Sequence, residues 1–256
     1  MLFGELDRLR AQAHGEAVFP PSVRLGPEPV GPAASPPVIT QTIAASPGMF
    51  RLRREIDPLL GKLRNAMGPG RGMVLYVTSA APGDGASTVA RELAWAAGAV
   101  PSMKTLLLDC HRGGNDQSNA LGHELPSVIA SYTASGHAEV AAVGNGEAVF
   151  HAATLAPGTA ADGSGEPART SADLYRLLRG SYDLIVLDCP PVLEMPYFPR
   201  MAQEPPEVLL VIQAERTRIP VAMRAKNEIA LAGAHLAGVI MNKRRFFIPK
   251  FIYRHL

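Results

Sequence analysis

Val77-Thr78-Ser79-Ala80-Ala81-Pro82-Gly83-Asp84-Gly85-Ala86-Ser87-Thr88 decides the fold. An apolar run, Met73 to Val77, leads into a Pro/Gly turn, and a helix-like run from Ser87 to Ala97 follows. That strand–loop–helix order separates a phosphate-binding loop from a chance pair of glycines. In such a loop, backbone N–H groups and a helix N-terminus face the phosphates, and a lysine ammonium neutralises their charge. Here Ala86 stands at the lysine position, and no lysine occurs between Lys62 and Lys104. The backbone half of the device is present and the charge is missing.

Outward from this loop, the runs Val74–Ser79, Thr105–Cys110, Leu184–Cys189, Val208–Gln213 and Leu236–Asn242 are short, rich in Val, Ile and Leu, and not alternating. That pattern predicts strands covered on both faces. A weaker strand signal lies near Ala148–Leu155. Helical patterns fall between the runs: Ser87–Ala97, Ser171–Leu178 with Ser171 as N-cap and Gly180 as stop, and Pro220–Ala232 with proline in its first turn. Strands alternating with helices predict an α/β fold. Its sheet is doubly wound and mostly parallel, of P-loop type, with helices on both faces. A basic helical stretch, Phe50 to Met67, is expected to break at Pro58. Residues 111–170 carry few signals, and Ala156–Thr170 reads as a surface loop.

The composition bounds the rest. The chain has 256 residues, 47% hydrophobic and 19% charged, enough for one sizeable core plus extensions. A net charge of +2 gives no argument for nucleic acid. Cys110 and Cys189 each follow an aspartate at the end of an apolar run, which suits free thiols filling buried corners of an intracellular protein. Met1–Arg10 lacks the pattern of a secretory signal, and no window approaches 18 apolar residues. The expected organisation is an N-terminal extension over 1–48 (a short amphipathic helix in 1–16, then a Pro-rich linker), a domain over 49–247, and a tail over 248–256.

Three predicted strands end in polar residues of the kind a magnesium–nucleotide site needs. Ligands of an open parallel sheet bind beyond the carboxyl ends of its strands, so these ends should converge. Gly83, Asp84, Gly85, Ala86, Ser87 and Thr88 form the loop, with the Ser87 hydroxyl a candidate metal ligand. Leu106-Leu107-Leu108-Asp109-Cys110-His111 and Leu184-Ile185-Val186-Leu187-Asp188-Cys189-Pro190-Pro191 each end in a hard oxygen ligand, Asp109 and Asp188. Taken singly, each aspartate is equally well the cap of a turn. Their order on successive strands is what points to phosphate-binding ancestry.

From about Ser46 to Phe247 the sequence resembles the cytoplasmic domain of bacterial tyrosine kinases (BY-kinases), members of the wider MinD/ParA-like group of P-loop ATPases. Ser79–Thr88 resembles the family's first motif, Leu106–His111 its Asp-x-Asp run, and Leu184–Pro191 its Asp-x-Pro-Pro run. Val211–Arg218 and Gly238-Val239-Ile240-Met241-Asn242 are similar as well. The resemblance implies service in capsule or exopolysaccharide synthesis, ATP and magnesium as cofactors, and a place for Asn242 near the adenine. It implies Asp109 and Asp188 as catalytic groups if the chain is active. It also implies a membrane polysaccharide co-polymerase of the chain-length determinant type as partner, and hence a cytoplasmic protein at the inner face of the membrane.

The departures bear on activity. Ala86 replaces the lysine; a charge-assisted hydrogen bond is worth roughly 1.5–3 kcal/mol, so nucleotide should bind roughly 10- to 150-fold more weakly. His111 replaces the second aspartate, an anion exchanged for a neutral or cationic ring. Arg91, one turn into the helix, is expected to point away from the phosphates, which leaves Arg112 as the better substitute cation. The family's Glu-x-x-Arg-x-x-Arg ring motif is reduced to Arg51 and Arg54, with Gly48 at the glutamate position. These two remain the candidates for homo-oligomerisation. The C-terminal run Asn242–Leu256 has a single tyrosine, Tyr253, the one phosphorylation candidate, among Lys243, Arg244, Arg245, Lys250 and Arg254 and three phenylalanines. It suits peripheral contact with an anionic membrane, a partner, or packing on the domain; nucleic acid has no other support.

These features favour a pseudokinase or pseudo-ATPase that holds ATP and magnesium weakly or not at all. The alternatives are an active autokinase or ATPase whose partner supplies the missing charge, and a MinD/ParA-like positioning protein. Ala81, at the early lysine position of the last class, counts against it.

Overall fold

The computed structural model describes residues 36–45, 49–50, 53–66, 72–111, 116–155, 168–195 and 206–244; for 53–55, 66 and 168–171 only the backbone is described. All belong to one compact unit, Ser35–Leu256. In chain order the strands are β1 (Val38–Ala44), β2 (Met73–Ser79), β3 (Thr105–Asp109), β4 (Glu139–Gly144), β5 (Val149–Thr154), β6 (Leu184–Asp188), β7 (Glu207–Gln213) and β8 (His235–Asn242). The helices are α1 (Arg53–Ala66), α2 (Ala86–Gly98), α3 (Asp116–Leu121), α4 (Val128–Ser135), α5 (Ala168–Ser181) and α6 (Ile219–Leu231).

The strands form one eight-stranded sheet in the order β1-β4-β5-β3-β6-β2-β7-β8. Every neighbouring pair is parallel except the β4–β5 hairpin. Alternate residues of the central strands feed two cores. Leu75, Val77, Leu107, Val186 and Val211 pack with α1 and α2 on one face. Tyr76, Leu106, Leu108, Ile185, Leu187 and Leu210 pack with α4, α5 and α6 on the other. A strand covered on both faces gains from apolar residues at every position, which is why the central runs do not alternate. The α/β fold, doubly wound with helices on both faces, is therefore present.

Three local expectations need correction. Val38–Ala44 is a strand rather than linker: β1 pairs parallel with β4 and buries Ile43. Helix α1 runs through Pro58 without a break. It lacks one backbone hydrogen bond there, but buried Ile56, Leu60 and Leu63 dock it on the first core. Helix α5 begins at Ala168, inside the stretch expected to be loop. The segments 1–16 and 248–256, with Tyr253, and residues 20–35 of the linker lie outside the described residues, as do Gly48, Arg51 and Arg112. Among the described residues no helix is long and apolar enough to cross a membrane.

Candidate functional site

Register brings the strand ends together. Asp109 of β3 lies opposite Asp188 of β6, and Asp188 lies opposite Val77 of β2, two residues before the loop. Both carboxylates are fully buried.

The loop is held from several sides. Ala80 N–H donates to the Val211 carbonyl at 3.2 Å. The Asp84 carboxylate accepts from Ala81 N–H at 3.1 Å and from the Thr217 hydroxyl at 2.8 Å. Gly83 and Gly85 take φ of 80° and 102°, a region open to glycine at little cost. A side chain at Gly85 would also collide with the Asn242 amide. Asn242 donates from Nδ2 to the Asp84 carbonyl at 2.9 Å, and Lys243 donates from Nζ to the Gly83 carbonyl at 2.6 Å. The loop is thus a tethered turn with two glycines in the left-handed region. Its lysine position is occupied by the buried methyl of Ala86, part of the first core. Ser87 is half-buried and Thr88 exposed.

Gln117, at the start of α3, joins the loop to the aspartates, and sequence reading gave no sign of it. Its N–H donates to Asp109 Oδ2 at 2.9 Å. Its Nε2 donates to Asp188 Oδ2 at 2.7 Å and to the Ser87 carbonyl at 2.9 Å. Its Oε1 accepts from Arg91 Nη1 at 3.1 Å. Arg91 is therefore held toward the carboxylate cluster through Gln117. Burial lowers the Arg91 pKa, and Asp188 works against that shift.

His111 adds a nitrogen to the acidic cluster. Its Nδ1 lies 3.0 Å from Asp109 Oδ1 and 3.7 Å from Asp188 Oδ2, and its Nε2 lies 3.6 Å from Asp116 Oδ2. Burial alone would lower its pKa, but the bond to Asp109 and the charges of Asp188, Asp109 and Asp116 outweigh it and raise it. Asp109 goes the other way. Burial opposes ionisation, yet hydrogen bonds from His111 and from Gln117 N–H leave its pKa lowered. For Asp188 burial wins, and its pKa is pushed up to about 7.

The candidate residues Gly83, Asp84, Gly85, Ala86, Ser87 and Asn242 thus share one loop environment, and Asp109, Asp188 and His111 form a second cluster tied to it by Gln117. Arg54 lies on α1. Cys110 and Cys189 are free, half-buried and buried respectively, and burial pushes the Cys110 thiol up.

No protein-family model and no curated protein matches the chain. Solved structures do. The kinase domain of the Escherichia coli tyrosine kinase ETK aligns at TM-score 0.57 and 20% identity, over 83% of this chain and 93% of that one. The kinase domain of VpsO aligns at TM-score 0.55 and 26% identity, over 73% and 90%. The chimerical protein CapA2B2 aligns at TM-score 0.56 and 22% identity, over 82% and 95%. The chain has the fold of bacterial tyrosine kinase domains, as the motifs at Ser79–Thr88 and Leu184–Pro191 imply.

Proposed function

We propose that this chain is a tyrosine-kinase-like pseudoenzyme of bacterial exopolysaccharide synthesis or export, acting by binding rather than turnover. Its partner would be an integral-membrane polysaccharide co-polymerase, which would hold it at the inner face of the membrane. The pathway and the partner rest on the motif resemblance. The loss of turnover rests on one observation, the buried methyl of Ala86 at the lysine position of a loop whose Gly83 and Gly85 take positive φ.

The residues present do not fit magnesium–ATP chemistry. Phosphoryl transfer depends on positioning and on neutralising charge, and the loop offers no side-chain cation from within. Lys243 approaches from outside, but its ammonium is bonded to the Gly83 carbonyl. Magnesium prefers oxygen ligands, whereas a histidine nitrogen stands between Asp109 and Asp188. Gln117 also ties the Ser87 carbonyl to Asp188. Backbone N–H groups of the loop and the N-terminus of α2 can still attract a phosphate, so weak nucleotide binding is compatible with the site.

Calorimetry with magnesium–ATP on the native chain and on Ala86→Lys tests the reading. Native binding should be weak, and the lysine should tighten it by roughly 10- to 150-fold. Native binding in the low micromolar range overturns the pseudoenzyme reading. Phosphotyrosine on Tyr253 that disappears in Asp188→Ala overturns it as well.

A further inference from the structure

The carboxyl edge of β3 and β6 has the makings of a site that no nucleotide is needed to complete. Asp109, His111 and Asp188 each offer one ligand atom, and these atoms lie within 4.8 Å of one another. His111 Nδ1 is 3.0 Å from Asp109 Oδ1 and 3.7 Å from Asp188 Oδ2. Two ligands of a tetrahedral ion, each about 2.1 Å from it, sit about 3.4 Å apart. The observed separations bracket that edge. Asp188 adds a second sign: the side chain is fully buried within this cluster, and its Oδ1 is left without a hydrogen bond of good geometry, although Gln117 and the Ser87 hydroxyl help to hold the carboxyl group. A buried carboxylate oxygen without a partner is costly, and a cation would supply one.

We infer that Asp109, His111 and Asp188 bind a first-row divalent ion of the zinc or cobalt kind, in preference to magnesium and without nucleotide. Two carboxylates and a neutral imidazole balance the charge of a divalent ion. The nitrogen donor selects against magnesium, because imidazole suits zinc and its neighbours. The surroundings supply the outer support such ligands need. Asp116 Oδ2 lies 3.6 Å from His111 Nε2, on the side of the ring away from the other carboxylates' nearest nitrogen. Gln117 donates to both Asp109 and Asp188, and Arg91 holds Gln117. Three protein ligands leave a position for water or another small ligand, reached past the partly exposed His111 ring. This site goes beyond the proposed function and stands or falls without it.

The test is zinc titration of the metal-stripped full chain without nucleotide, with cobalt as a spectroscopic probe. One equivalent of zinc should bind, and cobalt should give visible bands that zinc removes and a large excess of magnesium does not. His111→Ala and Asp188→Asn should each weaken zinc binding by at least about tenfold, while the exposed His123→Ala should leave it unchanged. His111→Asp should shift preference toward magnesium. Circular dichroism establishes that each variant is folded. Should one unfold, the cobalt spectrum of the native chain decides. Absence of zinc-competed bands, zinc affinity unchanged in a folded His111→Ala, or displacement of zinc by equimolar magnesium overturns the inference.

Discussion

Asp188 is buried beside a second carboxylate, and its pKa of about 7 has a sign that stability measurements can read. A folded pKa above the unfolded value of about 3.9 means that the folded chain holds this proton more tightly. The contribution is full below about pH 4 and is lost as pH rises toward 7. His111, raised by its carboxylate neighbours, works in the same direction through its own higher range. Asp109, with a lowered pKa, adds stability above its unfolded value that is lost as pH falls. In chelator-treated protein, Asp188→Asn should therefore melt higher than the native chain at pH 8, by up to about 4 kcal/mol of stability. The advantage should vanish near pH 4; equal melts at both pH values would sink the assignment. Gln117→Leu tests the other member of the cluster. It keeps the backbone N–H that serves Asp109 but strips side-chain partners from Asp188, the Ser87 carbonyl and Arg91 together, so urea unfolding should show a loss of at least about 3 kcal/mol.

At the scale of elements, α2 connects the loop to the far end of the sheet. Trp95 stacks on Phe50 with centroids 4.1 Å apart and meets Phe150 of β5 edge-on. Three residues later the helix presses on the β5 backbone: a Cβ at Gly98 would come 2.5 Å from the Val149 carbonyl oxygen. Gly98→Ala should cost about 1–3 kcal/mol in urea unfolding. Gly180→Ala, where nothing lies within 4 Å, should be neutral or stabilising by up to about 1 kcal/mol. An equal effect at the two positions would contradict the close approach. The contrast with sequence reading is sharpest in the elements flanking this helix. The loop, the ends of β3 and β6, and the positions of the central strands along the chain were legible because their apolar runs and turn residues are local signals. β1 was hidden among prolines, alanines and serines, and β4 (Glu-Val-Ala-Ala-Val-Gly) packs alanines whose place in a sheet is set by pairing rather than propensity. Gln117, Arg91 and Lys243 were not legible as a group, since only folding brings them to the loop and the aspartates.

Across the whole molecule, the sheet is completed on one side by the chain segment that enters the domain first. β1 runs parallel to β4, from Val38 opposite Glu139 to Ala44 opposite Gly144. Its exposed residues lie at the sheet edge, but Ile43 is 1% exposed and belongs to the first core. Before Val38 no described residue adds to that core. Two truncations therefore separate what the segment contributes. Removing 1–34 should leave the unfolding midpoint of the domain unchanged. Removing 1–45 deletes a strand, strips the Ile43 side chain, worth about 2–5 kcal/mol in comparable cores, and exposes the edge of β4 as a template for other chains. The shorter protein should melt earlier and sediment as larger species at high concentration, because β4 is then an unprotected edge of small apolar residues. If the 46–256 protein instead melts with the 35–256 protein and stays monodisperse beside it, β1 contributes nothing to the fold, and the domain begins where the sequence pattern alone would place it, at about residue 49.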